Sequence, residues 1–201
     1  MPHLSRYSLG LLLALLGACT QLPQRTSDAW QPPDWPVWSL RGRVAVHAGE
    51  EGWHASLAWR QTGAAFQLEL SGPLGQGAVR MSGDAAGVTL DRADGLRDWA
   101  PDADTLLVRN TGWTLPISGL RYWVQGRAVP GRPARWEHGP DGRPLRLRQD
   151  GWDIRYSSYH DQPGREALPK RIDLERGEIR ARLLIDTWMG PAVAPGAGGD
   201  G

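Results

Sequence analysis

The chain has 201 residues, a formal net charge of +1, 11 tryptophans and a single cysteine. This length is enough for one domain with a sizeable core, and so many tryptophans indicate a large apolar interior or a lipid-facing surface. The balance of basic and acidic side chains leaves no electrostatic footprint for nucleic acid, so the composition points to no nucleic-acid partner.

The first 18 residues have the features of a secretory signal. One charged side chain, Arg6, precedes an apolar run over residues 9–16 that is too short to span a bilayer. The run ends in Leu16-Gly17-Ala18-Cys19, a pattern typical of bacterial lipoproteins, in which the cysteine is diacylated and the signal is cut before it. Residues 1–18 are therefore predicted to be a lipoprotein signal peptide and Cys19 the lipid attachment site. An ordinary secretory signal that happens to contain a cysteine is the alternative.

Residues 19–36 are predicted to be an extended tether that follows the acylated cysteine. The segment is rich in Gln, Ser, Pro and Asp, and Pro32, Pro33 and Pro36 disfavour a helix. Two or more acyl chains on Cys19 would anchor this tether stably, since a single chain binds a membrane only marginally.

Alternating apolar and polar residues predict the first strands, at 40–46, 55–59, 66–70, 79–81 and 88–90. The third and fourth form a hairpin whose loop holds Leu74 among glycines too small to cover it. A leucine left in water forgoes about 1.5–3 kcal/mol of burial. Leu74 therefore either folds back onto the core or projects and meets an apolar surface.

In the middle of the chain the spacing of apolar residues changes from every second residue, as in strands, to the spacing of helices. Asp102 or Asp104 can cap a helix that ends near Gly112, and residues 120–124 predict a second short helix ended by Gly126. Strand patterns then return at 135–137, 145–148, 152–159, 171–174 and 179–187.

The pattern predicts a mainly β, α+β domain over residues 37–189. Alternation in about ten or eleven strands is typical of antiparallel sheets, and so many strands should curl. We expect a strongly curved sheet with short helices on its apolar concave side. Periodicity does not distinguish a hollow interior from a packed one. Residues 190–201 are Gly/Pro-rich and are predicted to be a disordered tail.

The sequence contains no recognisable combination of catalytic residues. The histidines are scattered, no metal-binding helix is recognisable, and no nucleotide-binding loop is present in the sequence. Ser157, Ser158 and His160 lie close together near a strand end and leave a hydrolase open as an alternative. The sequence otherwise predicts no enzyme, no cofactor and no metal site.

Several short segments occur along the chain in a recognisable order, although none of them is specific alone. Besides the residues around Cys19 they are Trp38-Ser39-Leu40-Arg41-Gly42-Arg43, Gly72-Pro73-Leu74-Gly75, Leu120-Arg121-Tyr122-Trp123-Val124-Gln125-Gly126, Gly151-Trp152 with Tyr156 and Tyr159, and Asp186-Thr187-Trp188. Over residues 38–188 this ordered set resembles the LolB family of outer-membrane lipoprotein receptors. Gly72 departs from some members, which have a polar residue there.

The resemblance implies an incomplete antiparallel β-barrel with a helical lid over a hydrophobic cavity. It also implies a function, which is to take acylated lipoproteins from the periplasmic carrier LolA and insert them into the outer membrane without nucleotide hydrolysis. Leu74, with Pro73 and Gly75, matches the family's protruding membrane-insertion loop. By resemblance to lipoprotein sorting rules, Thr20 after the cysteine implies an outer-membrane anchor. We expect a monomer that faces the periplasm and contacts outer-membrane lipids.

Inward-facing residues of the strands and the second helix are expected to line the acyl-chain cavity, although each could equally be ordinary core. The candidates are Val44, Leu57, Trp59, Phe66, Leu68, Leu70, Trp123, Ile154, Leu183 and Ile185. Two alternatives to a lipoprotein receptor stay open. One is a carrier of the same shape for another hydrophobic ligand, and the other is an anchored periplasmic hydrolase.

Overall fold

Eleven strands and two short helices make up the part of the chain that is described by the computed structural model, namely Trp30 and residues 32–72, 78–112, 115–160 and 167–191. In chain order they are β1 Val37–Ala48, β2 Glu51–Thr62, β3 Ala65–Ser71, β4 Val79–Asp84, β5 Gly87–Arg92, β6 Arg97–Ala100, α1 Ala103–Thr111, α2 Ile117–Trp123, β7 Ala134–His138, β8 Pro144–Gln149, β9 Trp152–Tyr159, β10 Pro169–Arg176 and β11 Ile179–Met189.

All the strands belong to one sheet in the order β6-β5-β4-β3-β2-β1-β11-β10-β9-β8-β7. Every neighbouring pair is antiparallel, so the chain runs out from the central β1 to one edge and returns from the other edge to pair β11 with β1. The segment with α1 and α2 connects the two edge strands, β6 and β7. The sheet is therefore an antiparallel barrel that is not closed, and the predicted fold class is confirmed.

One strand, β6, was not predicted. It has only four residues, of which Ala100 is buried and Trp99 is exposed. A single alternation of this kind is too short to reveal a period of two in the sequence.

The sheet is strongly curved. Met81 of β4 and Leu174 of β10 line the same cavity although four strands lie between β4 and β10. In a flat sheet five strand spacings would separate these side chains by about 24 Å. Curvature also explains why side chains from both edges of the sheet join one apolar core, for example Leu90 of β5 and Leu147 of β8.

The two faces of the sheet have opposite character. Along β1, Leu40, Val44 and Val46 are buried, whereas Arg41 and Arg43 are exposed. The outer face carries cross-strand ion pairs, such as those of Arg43 with Asp186 and of Arg182 with Asp173. These pairs are exposed, so each contributes little to stability, while the apolar inner face packs against the helices.

Helix α1 begins and ends at residues that the sequence indicated, whereas α2 begins at Ile117, before the predicted residues 120–124, and ends at Trp123, ahead of the predicted end at Gly126. Asp102 caps α1, because its carboxylate accepts a hydrogen bond from the Thr105 N–H at 2.8 Å, and this bond lowers the pKa of Asp102. The other candidate, Asp104, instead accepts from the Ser118 N–H at 3.0 Å and so joins α1 to α2. Gly112 ends α1 in the left-handed conformation at φ 74°.

Part of the predicted tether is in contact with the domain. We call Trp30 and residues 32–36 the strap; they are extended, and Pro33 is buried. The predicted signal peptide, residues 19–29 and 31, and residues 192–201 of the predicted tail lie outside the described residues. Gly190, at the start of that tail, packs against the Trp35 ring.

Gly42 lies where β1 and β11 shift register, and it has no room for a side chain. A Cβ atom at this position would lie 2.2 Å from the carbonyl oxygen of Leu184. We expect Gly42→Ala to lower the free energy of unfolding by about 2–3 kcal/mol, because backbone atoms must move to relieve the contact. Urea unfolding followed by circular dichroism measures this change.

The matched control for this substitution is Gly52→Ala in the neighbouring strand β2. A Cβ atom there would meet only the ring of the exposed His47, at 2.9 Å, and that ring can rotate away. We expect a change below about 1 kcal/mol. Equal losses of stability in the two variants would contradict the role given to the close approach at Gly42.

Candidate functional site

An apolar cavity lies between the inner face of the sheet and the two helices. Its volume is about 260 Å³, just below the roughly 300–1,000 Å³ of typical small-molecule sites. Fifteen side chains line it, all of them apolar: Val44, Trp53, Leu57, Trp59, Leu68, Leu70, Val79, Met81, Leu107, Leu115, Ile117, Leu120, Leu174, Ala181 and Leu183. A space of this kind suits a hydrocarbon chain and offers nothing to a charged ligand.

Six of the ten side chains proposed from the sequence lie on the cavity wall: Val44, Leu57, Trp59, Leu68, Leu70 and Leu183. They come from four consecutive strands, β3, β2, β1 and β11, and alternate with exposed or half-buried residues. Their contact with an acyl chain stays a prediction.

The other four, Phe66, Trp123, Ile154 and Ile185, do not line the cavity. Trp123 and Ile154 are fully buried, and the Trp123 indole donates to Gln149 Oε1 at 2.8 Å. Ile185 is also fully buried in the core, and Phe66 packs beside the Trp59 ring. Alternation identified the inner face correctly, but it carries no information on which part of that face is hollow.

Nine wall residues were not proposed from the sequence. Val79, Met81, Leu174 and Ala181 lie on the inner face by the same alternation, so the signal for them was present. Trp53, Leu107, Leu115, Ile117 and Leu120 complete the set. Two of them, Leu115 and Ile117, flank Pro116, ahead of the apolar positions from which the second helix was predicted.

A buried polar network holds α2 against the sheet beside the cavity. The Gln149 side chain, 2% exposed, accepts hydrogen bonds from Trp123 Nε1 and from the Val129 N–H, both at 2.8 Å. Its amide group donates to the Val129 carbonyl oxygen at 3.1 Å. The Tyr156 hydroxyl donates to the Trp123 carbonyl oxygen at 3.0 Å, and burial raises the pKa of Tyr156. The network keeps the end of α2 in place while Leu120 faces the cavity.

The remaining candidates are placed as follows. His160 Nε2 lies 2.9 Å from the carbonyl oxygen of Ile185, to which it donates, so this nitrogen is engaged with the backbone. Within the described ranges no group of three or more His, Cys, Asp or Glu side chains could hold a metal ion. Cys19 and the loop residues Pro73, Leu74 and Gly75 lie outside the described residues. Neither α1 nor α2, nor any other helix in the described part, is long and apolar enough to cross a membrane.

Comparison with known sequences points to one family. The family model described as outer membrane lipoprotein LolB matches residues 36–188. A protein of Alkalilimnicola ehrlichii, named outer-membrane lipoprotein LolB, is 37% identical over 89% of this chain and 94% of its own length. A protein of Nitrosococcus oceani with the same name is 40% identical over 88% of this chain and 93% of its own length.

Solved structures share the fold at low sequence identity. A LolA superfamily protein from Nitrosomonas europaea matches with a TM-score of 0.52 and 10% identity, over 81% of this chain and 89% of that protein. A DUF1329 family protein from Desulfovibrio piger also matches with a TM-score of 0.52, at 6% identity, over 82% of this chain and 89% of that protein. At these identities the likeness concerns the fold alone.

Proposed function

The chain belongs to the LolB family of outer-membrane lipoproteins, and on that premise we propose that it accepts acylated lipoproteins from the periplasmic carrier LolA and inserts them into the outer membrane. The observation that carries this proposal is the cavity of about 260 Å³ with a wholly apolar wall. The chain also shares its fold with a LolA superfamily protein from Nitrosomonas europaea.

The physical need for such a cavity follows from the cost of wetting acyl chains. Each methylene group is worth about 0.8 kcal/mol when buried, so a chain of about fifteen methylenes loses on the order of 12 kcal/mol in water. With two or three chains on one lipoprotein, free diffusion through water would be too slow to matter. A donor and a receptor with apolar cavities avoid this cost, because the chains pass from one apolar site to another.

Transfer in this scheme requires no nucleotide and no catalysis. The chains move toward the receptor if its cavity binds them more tightly than the carrier does, and they move on because the bilayer binds them more tightly still. We therefore propose a non-enzymatic receptor without a cofactor. The polar network around Gln149 supports this role by holding α2 in place, so that Leu120 stays on the cavity wall.

The family resemblance supports a proposal about two sites of membrane contact. We propose that acylated Cys19 anchors the chain in the outer membrane, so that the domain faces the periplasm as a monomer. We further propose that Leu74, in the connection between β3 and β4, enters the membrane when the cargo is released.

The proposal is tested by transfer of a radiolabelled lipoprotein from purified LolA to the purified full-length chain. The acylated form should move to the receptor, and the same lipoprotein without its acyl chains should not. Transfer of both forms would show that protein surfaces rather than acyl chains are recognised. Transfer of neither, with retention of a free fatty acid, would favour a carrier of another hydrophobic ligand.

A further inference from the structure

The strap contacts the domain at a defined end of the sheet. This strap end carries the turns at residues 63–64, 85–86 and 139–143. The opposite end, which we call the loop end, carries the turns at 49–50, 93–96 and 177–178, together with the end of β3 and the start of β4. The chain that follows Cys19 therefore reaches the domain at the end farthest from the β3–β4 connection.

Trp30 occupies a fitted site at the strap end. Its indole Nε1 donates to the carbonyl oxygen of Ala167 at 2.7 Å, and its ring meets the Tyr159 ring edge-to-face with centroids 6.0 Å apart. Gly126, at φ 74°, supports the ring from below; a Cβ atom there would lie 2.8 Å from the Trp30 ring. Gly126 thus has two reasons to be glycine, its left-handed backbone and the space for Trp30.

Polar contacts also hold the rest of the strap. Asp34 forms an ion pair with Arg127, and the Trp35 N–H donates to Gln125 Oε1 at 3.3 Å. The Pro36 carbonyl oxygen accepts from the Gly63 N–H at 2.6 Å. Asp34 is exposed and Trp30 is only half-buried, whereas Pro33 is buried and Trp35 packs against the apolar core. Release of the strap therefore costs these apolar contacts as well as the polar ones.

The average span of the chain between the anchor and the strap is shorter than the distance from the strap end to the β3–β4 connection. Eleven residue steps separate Cys19 from Trp30, which gives at most about 38 Å if fully extended. A random coil of eleven steps would have a root-mean-square span of about 18 Å. The β3–β4 connection lies closer to the strap end than the full length of β1, because Ser71 at the end of β3 pairs with Ser56, which pairs with Arg43 in the middle of β1. The seven residues of β3 extend over about 24 Å.

We propose that the strap is a releasable part of the tether, and that its release lets the loop end of the domain reach the membrane. This inference rests on the proposed lipid anchor at Cys19. With Trp30 docked, the strap end lies toward the membrane and the loop end toward the periplasm, where a soluble carrier can meet it. When the strap detaches, eighteen residue steps lead from Cys19 to Val37, so the random-coil span rises from about 18 Å to about 23 Å and the greatest reach from about 38 Å to about 60 Å.

The test measures how close the loop end lies to the membrane. Ala93→Cys, in the exposed turn between β5 and β6, is labelled with a fluorophore in the lipidated full-length protein, whose Cys19 is acylated. The protein is reconstituted in phosphatidylethanolamine–phosphatidylglycerol vesicles that contain a nitroxide-labelled lipid. We expect weak quenching with the native strap and at least twofold stronger quenching with Trp30→Ala. Strong quenching with the native strap, or equal quenching in both proteins, would overturn the proposal.

Two controls separate strap release from other effects. Trp99→Ala removes an exposed tryptophan from the edge strand β6, which makes none of the strap contacts named above, and should leave the quenching unchanged. An insertion of eight Gly and Ser residues between Gln24 and Arg25 lengthens the tether without touching the strap, and it should raise the quenching as Trp30→Ala does. If the insertion raises it and Trp30→Ala does not, the strap does not limit the reach of the tether.

The same samples distinguish this inference from the proposed function. Acceptance of a labelled acylated lipoprotein from LolA should be equal in the native protein and in Trp30→Ala, because the strap does not line the cavity. Loss of acceptance in both proteins would reject the proposed function and leave the quenching result as a separate statement about the tether.

Discussion

Replacing Leu74 by glutamate is expected to leave the acceptance of acylated lipoprotein from LolA unchanged and to lower its insertion into vesicles at least tenfold. The physical reason is the cost of placing this residue in a bilayer. Leucine gains about 1.5–3 kcal/mol on burial, whereas a charged side chain loses about 2.5–3.5 kcal/mol near the bilayer centre. The two contributions together disfavour membrane entry of the loop by several kcal/mol.

The measurement separates the two steps of the cycle. Transfer from LolA is followed with the purified receptor alone, and insertion is followed as co-sedimentation of the labelled lipoprotein with vesicles. Gln76→Glu is the matched control, since it adds the same charge to the same connection two residues away. Insertion at the native rate by Leu74→Glu, or equal loss in both variants, would contradict the role proposed for Leu74.

Replacing Ala181 by phenylalanine is expected to lower the affinity for acylated lipoprotein about 100-fold while the fold is kept. Ala181 lines the cavity, and a phenyl ring there fills a large part of about 260 Å³. If about four methylene groups lose their place, the loss is roughly 3 kcal/mol. Filling an apolar cavity leaves stability unchanged or raises it slightly, so the urea midpoint should not fall.

Ala45→Phe provides the control for this substitution. Ala45 pairs with Arg182, so it lies one register position from Ala181 and on the opposite face of the sheet. Competition between a fluorescent fatty acid and the acylated lipoprotein compares the two variants. Equal affinity in Ala181→Phe and Ala45→Phe would show that acyl chains bind elsewhere.

The elements that alternate over many residues could be predicted from the sequence. The pattern of β1 and β11 is long, one face is buried and the other is charged, so both strands were predicted with the correct inner face. The cap of α1 was narrowed to Asp102 or Asp104, and only the structure assigns the cap to Asp102, with Asp104 joining the two helices. Local patterns thus predict the elements and their faces well.

Features that depend on distant contacts could not be predicted. Trp123 has the spacing of an inward-facing helix residue, but its indole donates a hydrogen bond to Gln149 in strand β8, 26 residues away. The position of the hollow region depends on the volumes of facing side chains, which no single strand reveals. Docking of Trp30 depends on a carbonyl group 137 residues away, at Ala167, so composition alone suggested a free tether.

The most direct test of the central claim is photocrosslinking from two adjacent positions of β3. Leu70 lines the cavity, whereas Glu69 is exposed on the outer face, where it pairs with Arg80. A photoreactive phenylalanine analogue at each position, in protein loaded with acylated lipoprotein from LolA, reports by mass spectrometry which face holds the acyl chains. We predict an adduct with the acyl chain from position 70 and none from position 69. Adducts from position 69 alone would show that the acyl chains do not occupy the cavity.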